Sequence, residues 1–271
     1  MKLFFMSAKG AARTVVPVRN RFATRYVLRV FLGGVFAASL GVGVGAADPA
    51  KPPMPEEEMV SRYLEASHEQ QDTLRGATME VDIDASVPKL QKHGKLQALK
   101  SVSKLGKITY HLMGFSGDNS VKTEVIARYL KAEIDASDGG SNLSITPENY
   151  KFKYKGADDW NGRQVYVLRV NPRHKKVGLI KGELWLDAAT YMPVHESGSF
   201  VKSPSIFLKK MEFVRDYLFQ NGVSMPWRMV SKVETRFFGP VELNVNYASY
   251  VKDQTEPVTA DASNPATTTA Q

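Results

Sequence analysis

The sequence has 271 residues, no cysteine and a formal net charge of +8. Without cysteine the chain has no disulfide, no thiolate metal site and no lipid-modified cysteine of the kind that lipoproteins carry. Seven of the positive charges and no acidic side chain lie in residues 1–47, so the rest of the chain carries only +1. Because nucleic acid is held mainly by clustered Lys and Arg side chains, this near-neutral remainder argues against nucleic acid as a partner.

Residues 1–47 have the layout of a secretory signal peptide. Basic side chains up to Arg29 precede an apolar run, residues 30–47, which ends in the small residues Ala46 and Ala47. A basic region, an apolar region and small residues in this order favour cleavage after one of the two alanines and export to the periplasm. The alternative is an inner-membrane anchor through residues 30–47, because this run is close to the roughly 18 residues that span a bilayer. Its many glycines weaken a permanent helix and so favour cleavage.

A Pro-rich linker, residues 48–54, leads to an amphipathic helix. Pro55 and the three glutamates after it suit the first turn of a helix, where the helix dipole favours negative charge. A buried stripe at helical spacing is predicted at Met59, Tyr63, Ala66 and Gln70. Gly76 ends the helix.

From Ala77 the apolar residues follow the period of a strand. In Ala77–Val87 apolar and acidic side chains alternate, which predicts a strand with one solvated face. A second helix is predicted over Val121–Ile134, followed by a loop, Ser137–Ser141. The other predicted strands are Leu96–Leu105, Lys107–Phe115, Tyr150–Tyr154, Gln164–Val170, Gly182–Asp187, Met192–Val201, Leu208–Phe219, Trp227–Phe237 and Val241–Val251.

Turn signals between these strands predict an antiparallel meander. Asn161-Gly162 is a strong hairpin signal, and further turns are predicted between the later strands. The chain is therefore predicted to be a single α+β domain over residues 55–252, dominated by β-structure and covered by about two helices. Residues 253–271 lack apolar periodicity and are predicted to be a disordered tail.

The sequence contains no convincing catalytic or metal-binding motif. Ser116 lies in a glycine-rich turn that does not match the G-x-S-x-G elbow of hydrolases. His195 and Glu196 are neighbours on a strand, so their side chains point to opposite faces and cannot share a metal. Asp82 and Asp84 share a face that the alternation predicts to be solvated. With no phosphate loop or dinucleotide fingerprint, we predict neither catalytic activity, nor a cofactor, nor a metal.

Two basic clusters, residues 173–176 and Lys209-Lys210, have two interpretations. They could contact anionic lipid headgroups. A solvated loop and a strand edge protected by charge are favoured.

Large apolar and aromatic side chains recur in phase on one face of the predicted strands. They are Tyr166, Leu168, Leu184, Leu186, Met211, Phe213, Leu243, Val245 and Tyr247. A curved sheet under two helices tends to leave a concave, apolar space of the kind that binds small molecules. These nine residues therefore line either a lipid cavity or a packed core. We predict from the sequence that Leu186→Trp leaves the melting temperature within a few degrees and abolishes uptake of an acyl probe, as a cavity would allow. Loss of folding would indicate a packed core.

Residues 182–194, GELWLDAATYMPV, resemble a hairpin of the LolA/LolB-like lipoprotein-carrier superfamily, in which a strand ending in Leu-Asp precedes a short turn and a return strand opened by Pro. Asp187 can cap the turn with its carboxylate, and Pro193 can begin a strand without losing a ladder hydrogen bond. The resemblance covers about residues 55 to 252. It implies an unclosed antiparallel β-barrel with helices as a lid, which holds acyl chains of lipoproteins or other lipids without chemistry. The basic loop at 173–176 and the long second helix depart from the pattern.

The sequence thus predicts a periplasmic carrier or sensor of acyl chains, with lipids or lipoproteins as ligands and inner- or outer-membrane proteins as further partners. The alternative is a non-enzymatic scaffold of the cell envelope, with an interaction or regulatory role, which shares the fold and has a filled core.

Overall fold

A computed structural model describes residues 52–138, 143–220 and 222–252. The predicted signal peptide, the first four residues of the linker and the predicted tail lie outside the described residues. Within the described part of the chain, no helix is both long and apolar enough to cross a bilayer.

The first helix, α1, spans Glu56–Leu74 and confirms the predicted amphipathic pattern. Three glutamates occupy its first turn, where the backbone N–H groups are unpaired and negative charge is stabilising. Beyond its end, Gly76 has a φ of 73°, a left-handed conformation that favours glycine. The buried residues of α1 are Met59, Val60, Tyr63, Ala66 and Gln70.

The second helix, α2, covers residues 119–138 in three consecutive segments. They are Asn119–Val121, a π-helical turn at Lys122–Ile126, and Ala127–Asp138. The helix begins two residues earlier than predicted because the Asp118 carboxylate accepts a hydrogen bond from Ser120 N. It also runs through Ser137 and Asp138, which were predicted to be loop.

Ten strands make up the rest of the described chain. They are β1 Ala77–Val87, β2 Lys92–Val102, β3 Ile108–Gly117, β4 Tyr150–Trp160, β5 Arg163–Pro172, β6 Ile180–Asp187, β7 Pro193–Phe200, β8 Leu208–Gln220, β9 Val223–Thr235 and β10 Pro240–Lys252. All strands pair antiparallel in one sheet of order β3-β2-β1-β10-β9-β8-β7-β6-β5-β4. Since β3 and β4 are edges in this order, the curved sheet is not closed. The predicted fold class is confirmed.

Several strand boundaries were predicted wrongly. Strand β2 begins at Lys92 rather than Leu96 and ends at Val102 rather than Leu105. Strand β9 begins four residues before Trp227 and contains Pro226. A proline interrupts a regular ladder, but here Pro226 lies opposite Tyr217 where the register of β8 and β9 shifts. Such an irregularity accommodates the missing N–H donor, so the strand continues past the proline.

Both helices pack on the same face of the sheet, which we call the covered face. A first cluster of buried side chains joins α1 to strands β4 to β8, with Met59, Leu168 and Leu186 fully or almost fully buried. A second cluster joins α2 to β1, β2, β9 and β10, with Ile83 and Val245 at its centre. The core is therefore divided into two halves, each closed by a different helix.

Candidate functional site

The structure places all nine predicted cavity residues on the covered face. Directly opposed residues in an antiparallel sheet point to the same side. Leu184 lies opposite both Leu168 and Glu196, and Glu196 lies opposite Arg215 on β8. Further register pairs continue across the sheet: Tyr166 with Leu186, Phe213 with Ser231, Leu243 with Ser231, Met211 with Val233, Val245 with Met229, and Tyr247 with Val81. As lipid-binding residues, the nine remain a prediction.

The nine residues differ in burial. Four belong to the first cluster and three to the second, and all seven have a relative exposure of 8% or less. These seven are Leu168, Leu184, Leu186, Phe213, Leu243, Val245 and Tyr247. Tyr166 is half-buried at the edge of the first cluster. Met211 is half-buried and belongs to neither cluster.

The helices cover β8, a central strand of the sheet, only incompletely. Of the side chains that β8 presents to the covered face, Met211, Arg215 and Tyr217 are half-buried, whereas Phe213, between Met211 and Arg215, is buried in the first cluster. The Arg215 side chain is 36% exposed although it lies near the middle of a face that both helices cover. Val233, opposite Met211, is also half-buried. We call Met211, Arg215, Tyr217 and Val233 the β8 gap.

A charged pair borders the β8 gap on the side of the first cluster. Arg215 Nη1 donates to Glu196 Oε2 over 3.1 Å, and the Tyr217 hydroxyl donates to the same oxygen over 3.2 Å. The Glu196 side chain is only 7% exposed. A buried carboxylate needs such donors, because an unpaired charge in this position would be very costly.

A second charged pair lies on the other side, under α2. Lys100 Nζ donates to Glu133 Oε1 over 2.5 Å, and the hydroxyls of Tyr110 and Tyr129 donate to Glu133 Oε2. The Tyr129 and Tyr247 hydroxyls are 3.2 Å apart. Together with Glu196, Arg215 and Tyr217, these side chains form a polar band across the covered face. It comprises Lys100, Tyr110, Tyr129, Glu133, Glu196, Arg215, Tyr217 and Tyr247.

The environment fixes the protonation states of Tyr217 and Arg215 near neutral pH. Burial raises the pKa of Tyr217, and the Glu196 carboxylate raises it further. Burial alone would lower the pKa of Arg215, but Tyr217 and Glu196 outweigh burial and hold that pKa above its ordinary range. The tyrosine therefore stays a neutral donor and Arg215 a fixed cation.

Sequence reasoning missed the polar band, although the alternation contained the signal. Met211 and Phe213 were placed on the covered face, and the same period of two puts Arg215 there as well. On β2 the same period of two, counted from Leu96, places Lys100 on the covered face. The spacing shows only that these charges share the face, and the partners that make their burial tolerable come from distant strands and from α2.

The hairpin at residues 182–194 is built as predicted. Asp187 is 4% exposed, and its Oδ1 accepts hydrogen bonds from Ala189 N, Thr190 N and the Thr190 hydroxyl at 2.9 to 3.1 Å. Pro193 is the first residue of β7. The acidic cap and the proline thus fix the turn between β6 and β7.

His195 and Glu196 point to opposite faces, as predicted. His195 Nδ1 is 2.7 Å from Asp216 Oδ1 on the uncovered face, and its ring contacts Trp160 and Trp185 with centroids 4.4 and 5.3 Å apart. No group of three His, Asp or Glu side chains with metal-ligand spacing occurs among the described residues.

Two open surface grooves lie outside the nine predicted residues. A groove of about 540 Å³ runs between the start of α1 and β4 and touches Val60, Leu64 and Phe152. A groove of about 560 Å³ along the second half of α1 is lined mainly by polar side chains, including Glu65, Glu69 and Asp72. Neither reaches the β8 gap.

Comparisons with known proteins place the chain beside three solved structures. No family model and no curated protein matches the chain. A DUF1329 family protein from Desulfovibrio piger has a TM-score of 0.42 at 12% identity, over 75% of this chain and 95% of that one. A LolA superfamily protein from Nitrosomonas europaea has a TM-score of 0.36 at 12% identity, over 71% and 93%. An outer membrane lipoprotein-sorting protein domain from Vibrio parahaemolyticus has a TM-score of 0.37 at 13% identity, over 73% and 95%.

The superfamily that residues 182–194 resemble is thus represented among the similar structures. Because the identities do not exceed 13% and the TM-scores are low, these matches carry no argument about what the chain binds. Its function has to be argued from its own residues.

Proposed function

We propose that the chain is a non-enzymatic periplasmic carrier or sensor, which binds acyl chains of a lipoprotein or another lipid on the covered face of its sheet. The β8 gap carries this proposal. Its residues are half-buried on either side of the buried Phe213 and lie between two apolar clusters, so a ligand could enter here and meet apolar surface on both sides.

The energetics favour an acylated ligand at such a place. Each methylene group that leaves water contributes about 0.8 kcal/mol. Most of the apolar face of α1 packs in the first cluster and α2 packs in the second, while the last turn of α1 also contacts the second cluster through Leu74. We expect the first half of α1 to move away from the sheet more easily than its last turn. Binding of the acyl chain would then widen the β8 gap, and contact with a partner protein would open the gap again so that the ligand is released.

The polar band offers hydrogen-bond donors to the polar headgroup of the ligand. Arg215 is 36% exposed and keeps donors beyond those used by Glu196. A guanidinium group forms strong, oriented hydrogen bonds to carboxylate, phosphate or carbonyl oxygens. We expect acyl chains to lie against Met211 and Val233, with the polar end of the ligand at Arg215.

A fluorescent fatty-acyl probe tests this arrangement. Met211→Trp should fill the β8 gap and lower probe affinity by about tenfold or more, with little change in melting temperature, because Met211 is only half-buried. Val214→Trp is the matched control, since Val214 lies on the same strand, faces the other side and is 37% exposed. Equal loss in both variants would contradict the proposal.

The second candidate is the interaction or regulatory scaffold with a filled core. It is favoured by the burial of seven of the nine predicted cavity residues at 8% exposure or less. Native mass spectrometry of the purified protein separates the two functions. An added lipid mass supports the carrier or sensor, and a bare protein that never takes up the acyl probe supports the scaffold.

A further inference from the structure

Four connecting segments meet at one end of the sheet. They are residues 88–91, 173–179, 201–207 and 236–239, which join β1 to β2, β5 to β6, β7 to β8 and β9 to β10. The antiparallel order of the sheet places all four at the same end. We call these four segments the basic rim.

Contacts between neighbouring segments make the basic rim one continuous surface. Val201 N donates to Leu179 O over 3.0 Å, and Arg236 N donates to Phe207 O over 2.9 Å. Lys89 Nζ lies 3.5 Å from Phe237 O. The four segments are therefore connected to one another and can meet a partner together.

The basic rim carries an excess of positive charge. Its six Lys and Arg residues are Lys89, Arg173, Lys175, Lys176, Lys202 and Arg236, and its sequence contains no Asp or Glu. All six are exposed. Lys210 lies just behind the rim but is paired with Glu212 over 2.7 Å, so we do not include it. The Glu148 carboxylate, in the segment before β4, interacts with Arg173, so the rim carries an excess of positive charge rather than a single sign. This excess favours an anionic partner.

The same rim exposes large apolar side chains. It holds six of the thirteen large hydrophobic residues that are exposed in the described chain: Leu90, Val177, Ile206, Phe207, Phe237 and Phe238. Ile206 is 77% exposed and Phe237 60%. The rings of Phe207 and Phe237 lie 6.0 Å apart, so two segments build one aromatic patch. Exposed apolar groups collected in this way indicate a binding surface.

We propose that the basic rim docks the protein on the surface of an anionic lipid bilayer. Basic side chains at such a surface contact anionic headgroups, while apolar tips enter the boundary between headgroups and acyl chains. The sequence favoured a solvated loop at 173–176. The opposite conclusion follows because this loop lies at the same end of the sheet as Ile206 and the aromatic patch, and its segment is joined to theirs through Leu179 and Val201. Docking goes beyond acyl binding at the β8 gap and does not depend on it.

Vesicle co-sedimentation tests docking with protein purified from cells that express the full chain. Wild type should bind vesicles of phosphatidylglycerol and phosphatidylethanolamine, and bind phosphatidylcholine vesicles far more weakly. Lys175→Glu/Lys176→Glu should weaken binding by about twentyfold or more, because each basic residue contributes roughly fivefold at an anionic surface. Phe207→Ser/Phe237→Ser should weaken it by about tenfold. Both pairs are exposed, and circular dichroism checks that the variants fold.

Matched controls come from the turn between β2 and β3, at the other end of the sheet. Lys104→Glu/Lys107→Glu makes the same change of charge, and Leu105→Ser removes an apolar side chain that is 85% exposed. Both controls should bind as wild type. Equal weakening in rim and control variants, or equal binding to both kinds of vesicle, would overturn the proposal. Absence of binding to either kind of vesicle would also overturn it and would point to an acidic protein surface as the partner. If the phenylalanine variant fails to fold, the lysine pair and its control decide the matter.

Discussion

Glu196 and Arg215 lie directly opposite each other on β7 and β8, joined by a hydrogen bond of 3.1 Å on the covered face. The pair is asymmetric, because the Glu196 side chain is 7% exposed and the Arg215 side chain 36%. Desolvating two charges costs more than packing two apolar residues in the same space. The pair therefore interrupts an apolar surface that would be more easily stabilised without it.

The first prediction concerns this pair. Arg215→Met should lower the free energy of unfolding by about 2 kcal/mol, because it leaves the Glu196 carboxylate buried with Tyr217 as its remaining side-chain donor. This loss of stability is smaller than the loss expected on breaking a fully buried ion pair, because Arg215 is partly exposed to solvent. Arg215→Met/Glu196→Gln should recover about half of the loss, as measured by urea denaturation. A double variant that loses the sum of the two single changes would show that the pair is not coupled.

The second prediction concerns pH. Burial alone would raise the pKa of Glu133, but Lys100 and Tyr110 outweigh burial and hold that pKa below its ordinary value of 4.5. A carboxyl group with a lowered folded-state pKa stabilises the fold above its unfolded-state pKa, and the contribution disappears as pH falls through the folded-state pKa. Stability should therefore fall below about pH 5.

Urea midpoints at neutral and acidic pH check the role of Glu133. Glu133→Gln should reduce the slope of stability against pH in the acidic range and should lower stability at neutral pH. Glu124→Gln is the control, because Glu124 lies on the same helix, pairs with Arg128 and is 62% exposed. Similar slopes for wild type and Glu133→Gln would place the acid-sensitive group elsewhere.

Much of the fold could be predicted because its signals are local. The stripe from Met59 to Gln70 repeats at the spacing of a helix, and Ala77–Val87 alternates at the spacing of a strand. Strand ends were less predictable. From the local sequence, Pro226 predicts the end of a strand. The register shift opposite Tyr217, which only the structure shows, explains how β9 continues through this proline.

The candidate site could be predicted only in part. The alternation shows which residues share the covered face, so Leu186 and Met211 were placed together. It does not show which part of that face a helix covers. Leu186 is fully buried under α1 whereas Met211 lies half-buried in the β8 gap, and this difference depends on where the helices lie.

The third prediction concerns the turn after β6. Asp187→Ala should lower the free energy of unfolding by about 2 kcal/mol, because Ala189 N, Thr190 N and the Thr190 hydroxyl lose their common acceptor. Asp187→Asn retains an oxygen acceptor for these three donors and gives up only the charged hydrogen bond that Oδ2 accepts from Arg163, so it should cost clearly less. Thermal unfolding of the two variants measures the difference. Equal losses would assign the stabilisation to the charge rather than to the cap.

The fourth prediction concerns export, and it rests on the sequence of residues 1–47. The protein should be recovered from the soluble periplasmic fraction with an N-terminus at Ala47 or Asp48, because the apolar run ends in the small residues Ala46 and Ala47. N-terminal sequencing after fractionation measures this. Recovery of Met1 from a membrane fraction would support the alternative anchor through residues 30–47.

The last prediction concerns Leu186, for which the sequence left a cavity and a packed core open. Leu186 has 0% exposure and packs in the first cluster with Leu168 and Leu184. Forcing a larger ring into a site of this kind costs about 1–3 kcal/mol or more. We therefore expect Leu186→Trp to lower the melting temperature by several degrees, whereas Met211→Trp, in the β8 gap, leaves it nearly unchanged. Thermal unfolding and acyl-probe uptake should be measured on both variants. If Leu186→Trp instead keeps the wild-type melting temperature and abolishes uptake, the first cluster itself must open to admit the acyl chain, and the binding site would extend from β8 to β6 beneath α1.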